Sequence, residues 1–187
     1  MKTNLLWTGR EYYSLEHCRV DVNEAGATVQ STIVGYYENE IHQANYRILT
    51  NSEWQTRSAE IELYHRRRKR SFSVQKEDDG QWQCDAMHAP QFAGCTEVDI
   101  AITPFTNTLP IRRLGLSIGQ DAEIRVIYFD LLSNEIRPVS QRYTRLSENT
   151  YRYENIPNDF EAVIEVDDQG LVVDYPGLFV RTAVQQG

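Results

Sequence analysis

The chain has 187 residues, with 19 basic against 27 acidic side chains and a net charge of −8, enough length for one domain with a substantial core over residues 1–187. The acid excess disfavours nucleic acid and anionic membrane as long-range partners. Near the N-terminus only Leu5-Leu6-Trp7 are consecutively apolar, too few for a signal-peptide core, and no later run approaches a span, so we expect a cytoplasmic protein without stable membrane insertion.

From the first elements onward, apolar residues alternate with period two, the pattern of half-buried strands. Cys18, Val20 and Val22 share a face between Leu15 and Val22, and Ala27, Val29, Ser31 and Ile33 do so before Gly35. Further strands are expected around Tyr46 and Ile48, Ile61 and Leu63, and Phe72 and Val74. The run His65-Arg66-Arg67-Arg68-Lys69-Arg70 falls between two of these patterns and reads as a solvated hairpin tip, with a nucleic-acid or anionic-lipid contact as the alternative. Asp79-Gly80 is a hairpin signal, because glycine supplies positive φ cheaply, and Trp82 and Cys84 begin the return strand. The three cysteines, Cys18, Cys84 and Cys95, have no ligand spacing and are expected to be reduced and mostly buried.

The segment Cys95 to Leu116 departs from this pattern. Val98, Ile100 and Ile102 alternate with Asp99, Ala101 and Thr103, after which Pro104 breaks the strand. Thr106-Asn107-Thr108 supplies capping residues, Pro110 falls near the first turn, Arg112 and Arg113 near the last, and Gly115 just past it. That order predicts one short helix. Strands then resume at Ile124, Val126 and Tyr128, at Tyr151 and Tyr153, and at Ala162, Ile164 and Val166. An acidic turn at Asp167 to Gly170 leads to Leu171–Tyr175. It echoes the turn before Trp82, which reads as shared hairpin chemistry rather than a repeat. A last strand runs from Leu178 to Val184, and the tail Gln185-Gln186-Gly187 is expected to fray. The residues thus imply a mainly β fold, a many-stranded antiparallel sheet curled around one short helix.

Val98-Asp99-Ile100 through Thr103-Pro104-Phe105-Thr106-Asn107-Thr108-Leu109-Pro110-Ile111-Arg112-Arg113-Leu114 resembles the bacterial family called putative glycolipid-binding. Trp54-Gln55-Thr56-Arg57, Asp79-Gly80-Gln81-Trp82 and Gly170 through Leu178 resemble further motifs of that family, in the same order. The resemblance runs from about Trp7 to Arg181. It implies a spiral β-roll around a single helix and a glycolipid or other amphiphile as partner, and it brings no catalytic residues.

Candidate ligand contacts follow from what such a ligand needs: flat rings for sugar faces and planar polar groups for hydroxyls or phosphate. They are Trp54, Arg57, Trp82, Asp99, Asn107, Arg112, Arg113, Tyr175 and Arg181. Each has a structural alternative. Trp54 and Trp82 suit a sheet core, Arg57 and Arg181 suit cross-strand pairs, and Asn107 is first a cap or turn former. Arg112 or Arg113 could pin the helix to the sheet by pairing with Asp99 or another carboxylate. The histidines His17, His42, His65 and His88 have no ligand spacing, and no nucleophile elbow or phosphate loop occurs, so neither a metal nor a cofactor is expected. A non-enzymatic amphiphile binder is the leading expectation. The alternatives are an enzyme on a small or sugar-like substrate and a structural module, homodimeric through an exposed sheet edge.

Overall fold

The computed structural model describes residues 2–187. Among them fifteen strands form one sheet. The first eight are β1 (Lys2–Gly9), β2 (Ser14–Asn23), β3 (Gly26–Tyr37), β4 (Glu40–Thr50), β5 (Thr56–His65), β6 (Arg68–Lys76), β7 (Trp82–Cys84) and β8 (Met87–His88). Then come β9 (Glu97–Ile100) and the helix α1 (Thr108–Leu114). The chain returns through β10 (Asp121–Asp130), β11 (Glu135–Arg145), β12 (Thr150–Ile156), β13 (Glu161–Val166), β14 (Val172–Tyr175) and β15 (Phe179–Gln186).

The spatial order is β8 to β1 and then β15 down to β9. Every neighbouring pair is antiparallel except β9 with β10. The two outermost strands, β8 and β9, are therefore consecutive in sequence. The sheet curls until β9 touches the start of β5. There the Thr56 amide donates to the Thr96 carbonyl (3.2 Å), and Thr56 Oγ1 accepts from the Val98 amide (3.3 Å).

The curl encloses the segment from β9 to α1. Phe105 and Leu109 are fully buried in a core with Trp7, Val29, Ile48 and Ile61, while Ile111 joins a second core with Val126, Ile164 and Val172. Trp7 Nε1 donates to the Val172 carbonyl (2.9 Å) and ties the two halves together. The expected spiral roll around one short helix is what forms.

Some local expectations differ. A 3-10 turn (Phe105–Asn107) runs directly into α1, so Asn107 is already helical, at φ −65° and ψ −26°, and its side chain caps nothing. The tail does not fray: Gln185 and Gln186 pair with Asn4 and Thr3. β9 ends at Ile100, and Ile102 is buried in the turn that follows. Two long strands carried no clear signal. In β1 the contiguous Leu5-Leu6-Trp7 hides an alternation in which Leu5 and Trp7 face inward. In β11 Pro138 argues against a central strand. It is tolerated because β12 pairs with β11 only from Ser140 onward, leaving one side of Pro138 free.

Candidate functional site

Beside the 3-10 turn the roll holds a pocket of about 200 Å³. Its inner end is built by β9 and the buried segment: Asp99, Ile100, Ala101, Thr103 and Asn107. Its walls are rings from separate strands and turns, namely Tyr12, Tyr128, Tyr153, Phe160, Tyr175 and Phe179, with Glu11, Asn155 and Leu178 completing the lining. The rings touch in series. Tyr12 stacks on Phe179 (5.9 Å), Phe179 meets Tyr175 edge-on (6.2 Å), and Tyr153 contacts Tyr175 (6.3 Å) and Phe160 (6.0 Å).

Asp99 is the polar focus. The strand alternation that buries Val98 and Ile100 turns Asp99 to the other side, where it meets the pocket. Its Oδ1 accepts from Thr106 Oγ1 (2.8 Å) and its Oδ2 from Gln141 Nε2 (2.6 Å). Burial raises its pKa above the ordinary carboxylate value, and these two hydrogen bonds offset part of that rise. Burial likewise holds the Tyr12, Tyr128, Tyr153 and Tyr175 phenols protonated, with Asp99 adding to the rise at the last three. Asn107 is held by Tyr143, whose hydroxyl donates to Oδ1 (2.8 Å), while Nδ2 donates to the Pro104 carbonyl (3.3 Å). Tyr153 donates to Asn155 Oδ1 (2.5 Å). Such a site presents apolar faces around a deep, hydrogen-bonded carboxyl.

Of the residues singled out from sequence, Asp99, Asn107 and Tyr175 come together in this pocket. The two helix arginines do not line it. Arg113 pairs with Glu97, which is fully buried on β9, so the carboxylate that pins the helix is Glu97 and not Asp99. Arg112 lies over the Trp54 ring (4.4 Å) and donates to the Gln169 carbonyl (2.6 Å), in a separate open groove shared with Arg145 and Tyr151. Arg57 pairs with exposed Asp78 (3.0 Å), and Arg181 with Asp167 (2.5 Å). Trp82 is buried and donates to the Cys95 carbonyl (3.1 Å).

Sequence reasoning missed Tyr12, Tyr128, Tyr153, Phe160, Phe179 and Gln141. The one available signal was the abundance of tyrosine, 11 residues, since spacing along a strand does not say which rings converge across a curled sheet. No group of acidic, histidine and cysteine side chains able to hold a metal ion occurs among the described residues. No helix among them is long and apolar enough to cross a membrane.

Residues 4–181 match the family model described as "Putative glycolipid-binding". The chain is also similar to a crystal structure of a DUF1089 family protein from Pseudomonas aeruginosa. The two share 38% sequence identity with a TM-score of 0.80, over 89% of this chain and 91% of that one. No curated protein matches the sequence.

Proposed function

Since the chain belongs to the putative glycolipid-binding family, we propose that its aromatic pocket receives the sugar headgroup of an amphiphile, holds it without covalent chemistry, and leaves the acyl part outside. The observation that carries this reading is the single deep carboxyl, Asp99, at the inner end of a ring-walled pocket. Aromatic faces stack on the apolar faces of a sugar ring, and a carboxyl with free lone pairs accepts hydrogen bonds from its hydroxyls. Size supports the same division of the ligand. About 200 Å³ falls below the usual range for drug-sized ligands and suits one ring rather than an acyl chain.

Binding is favoured over catalysis by the dressing of that carboxyl. Both Asp99 oxygens already accept a hydrogen bond, and the other acid on the pocket lining, Glu11, is exposed. Calorimetric titration with short-chain alkyl glycosides tests the reading. Saturable binding is expected, weakened about tenfold or more by Asp99→Asn, as loss of charge-assisted hydrogen bonds implies. Because the Asp99 pKa is raised, affinity should fall on acidification at a pH above 3.8, the ordinary value, and the variant should lose that dependence. Heats unchanged by Asp99→Asn would remove the pocket from the function. Release of the free sugar would replace binding by hydrolysis.

A further inference from the structure

The basic run of the β5–β6 turn acquires a neighbour in the folded chain that its sequence position does not reveal. On the outer face of the sheet, Leu15 pairs with Val34, Val34 with Gln43, and Gln43 with Tyr64, while Tyr36 pairs with Ile41 one row further out. The apolar members of these rows, Leu15, Val34, Tyr36, Ile41 and Tyr64, are exposed on neighbouring strands β2 to β5 around Gln43, a width of roughly 15 Å at normal strand spacing, and Tyr13 is exposed just before β2. Ile41 is 72% exposed and Tyr13 76%. A patch of this kind marks an interaction surface.

At the same end, Arg66, Arg67, Arg68 and Lys69 are exposed. Arg66 pairs with Glu38 (4.0 Å) and Lys69 with Glu62 (2.7 Å), while Arg67 and Arg68 have no ion-pair partner among the described residues. Lys69 sits directly across from Tyr64 of the patch. The patch adjoins the pocket lining through the backbone. Glu11 and Tyr12, which line the pocket, immediately precede Tyr13, and the Tyr36 amide donates to the Tyr12 carbonyl (3.0 Å). Phe160, 37% exposed, stands on the lining opposite.

We propose that this end of the sheet docks on an anionic lipid bilayer surface, with Arg67 and Arg68 at the headgroups and Tyr13, Tyr36, Ile41 and Tyr64 in the interfacial layer, so that the pocket mouth faces the lipid. Exposed tyrosines and aliphatics beside unpaired arginines suit a surface that is charged outside and apolar just beneath. A nucleic-acid backbone would satisfy the arginines but leave Leu15, Val34 and Ile41 without a partner. The chain's net charge of −8 disfavours approach from a distance, but contact is governed by the charges nearest the surface. At physiological salt, charges beyond about 8 Å are largely screened, and the turn is what approaches first. The proposal stands on this surface alone and does not depend on what the pocket holds.

Co-sedimentation with vesicles tests it, comparing phosphatidylcholine alone with phosphatidylcholine containing phosphatidylglycerol. Binding is expected only to the second kind, is expected to be lost at high salt, and should weaken more than about tenfold in the double variant Arg67→Glu, Arg68→Glu. Ile41→Ser with Tyr64→Ser should weaken it at low salt as well. All four positions are exposed, so circular dichroism should report an unchanged fold. Absence of binding to anionic vesicles, or binding indifferent to the arginine reversals, overturns the proposal. So does a dimer mass abolished by the Ile41 and Tyr64 variants, which assigns the patch to a second copy. Tighter arginine-dependent binding to duplex nucleic acid overturns it too.

Discussion

Glu16 is wholly buried, and three hydroxyls donate to its Oε1: Ser31 (2.7 Å), Tyr46 (2.7 Å) and Thr103 (2.9 Å). Thr103 also lines the pocket, so this carboxyl fastens β2, β3 and β4 to the segment that floors the site. Its Oε2 is buried without a partner, and burial pushes the carboxyl up to about 7 from 4.5, against the pull of the three hydrogen bonds. Between those values the folded chain holds a proton that the unfolded chain has released, so this group makes stability fall as pH rises from 4.5 to 7. The shift corresponds to about 3 kcal/mol. His42 acts in the opposite sense. It is fully buried with both ring nitrogens unpartnered, and burial lowers it to about 4 from 6.5. Between those values the unfolded chain takes up a proton that the folded chain refuses, so stability rises with pH there. The two slopes overlap and partly cancel in the native protein. Glu16→Gln should unmask the histidine: relative to the native chain, it gains about 3 kcal/mol between pH 4.5 and pH 7. His42→Leu should do the reverse, steepening the fall. Urea unfolding across this pH range decides it, and parallel curves for native and Glu16→Gln protein would refute the assignment.

At the scale of elements, a buried ion pair joins α1 to β9 beside their shared apolar core. Glu97 is fully buried and is met by Arg113, with Thr96 donating to its second oxygen. A buried carboxylate that loses its cation costs far more than the pair contributes. Arg113→Met should therefore destabilise by about 3 kcal/mol, the low end for such pairs because Arg113 keeps some exposure. Adding Glu97→Gln should recover at least about 1 kcal/mol of that loss. Denaturant unfolding of the four-member cycle measures the coupling, and simple additivity would show that the pair does not fasten the helix. The helix itself was legible in the sequence, since Gly115 takes the left-handed conformation (φ 54°) that its position after Leu114 predicts, and both arginines fall in the last turn. Its start also falls where Thr106-Asn107-Thr108 predicts, but the Asn107 side chain does not cap it, because Tyr143, distant in sequence, engages that side chain instead. The same limit applies to the pocket. Asp99 and Tyr175 stood out by motif position, but Tyr12, Tyr128, Tyr153 and Phe179 converge only because the sheet curls, and period-two alternation carries no information about curl.

For the whole molecule, the order of strands is a meander interrupted once. Each strand neighbours the next in sequence except at the break between β8 and β9, and the gap is made good where β1 pairs with β15. That pair brings the described ends together: the Gly187 amide donates to the Lys2 carbonyl (2.9 Å). Pairing the ends requires closing nearly the whole chain, and loop entropy grows by only about 0.6 kcal/mol per doubling of length. Relative to a hairpin, the extra cost is roughly 3 kcal/mol, about five doublings. A circular permutant with a short glycine linker between Gly187 and Met1, opened between Asp79 and Gly80, should remove that cost from β1 and β15. It transfers the cost to β6 and β7, where the pairing is short but Trp82 stays anchored through Cys95. Gly80 is exposed, with nothing within 4 Å of where a β-carbon would stand, and opening the chain there loses the turn's local bond from the Gly80 amide to the Glu77 carbonyl (2.9 Å). The permutant should therefore fold to the same far-ultraviolet spectrum, with stability within about 3 kcal/mol of the native chain, and should keep the pocket's ligand affinity, since neither cut nor linker touches its lining. A permutant that aggregates, or folds without the pocket, would mean that the sheet depends on continuity through the Asp79-Gly80 turn rather than on the seam between β1 and β15.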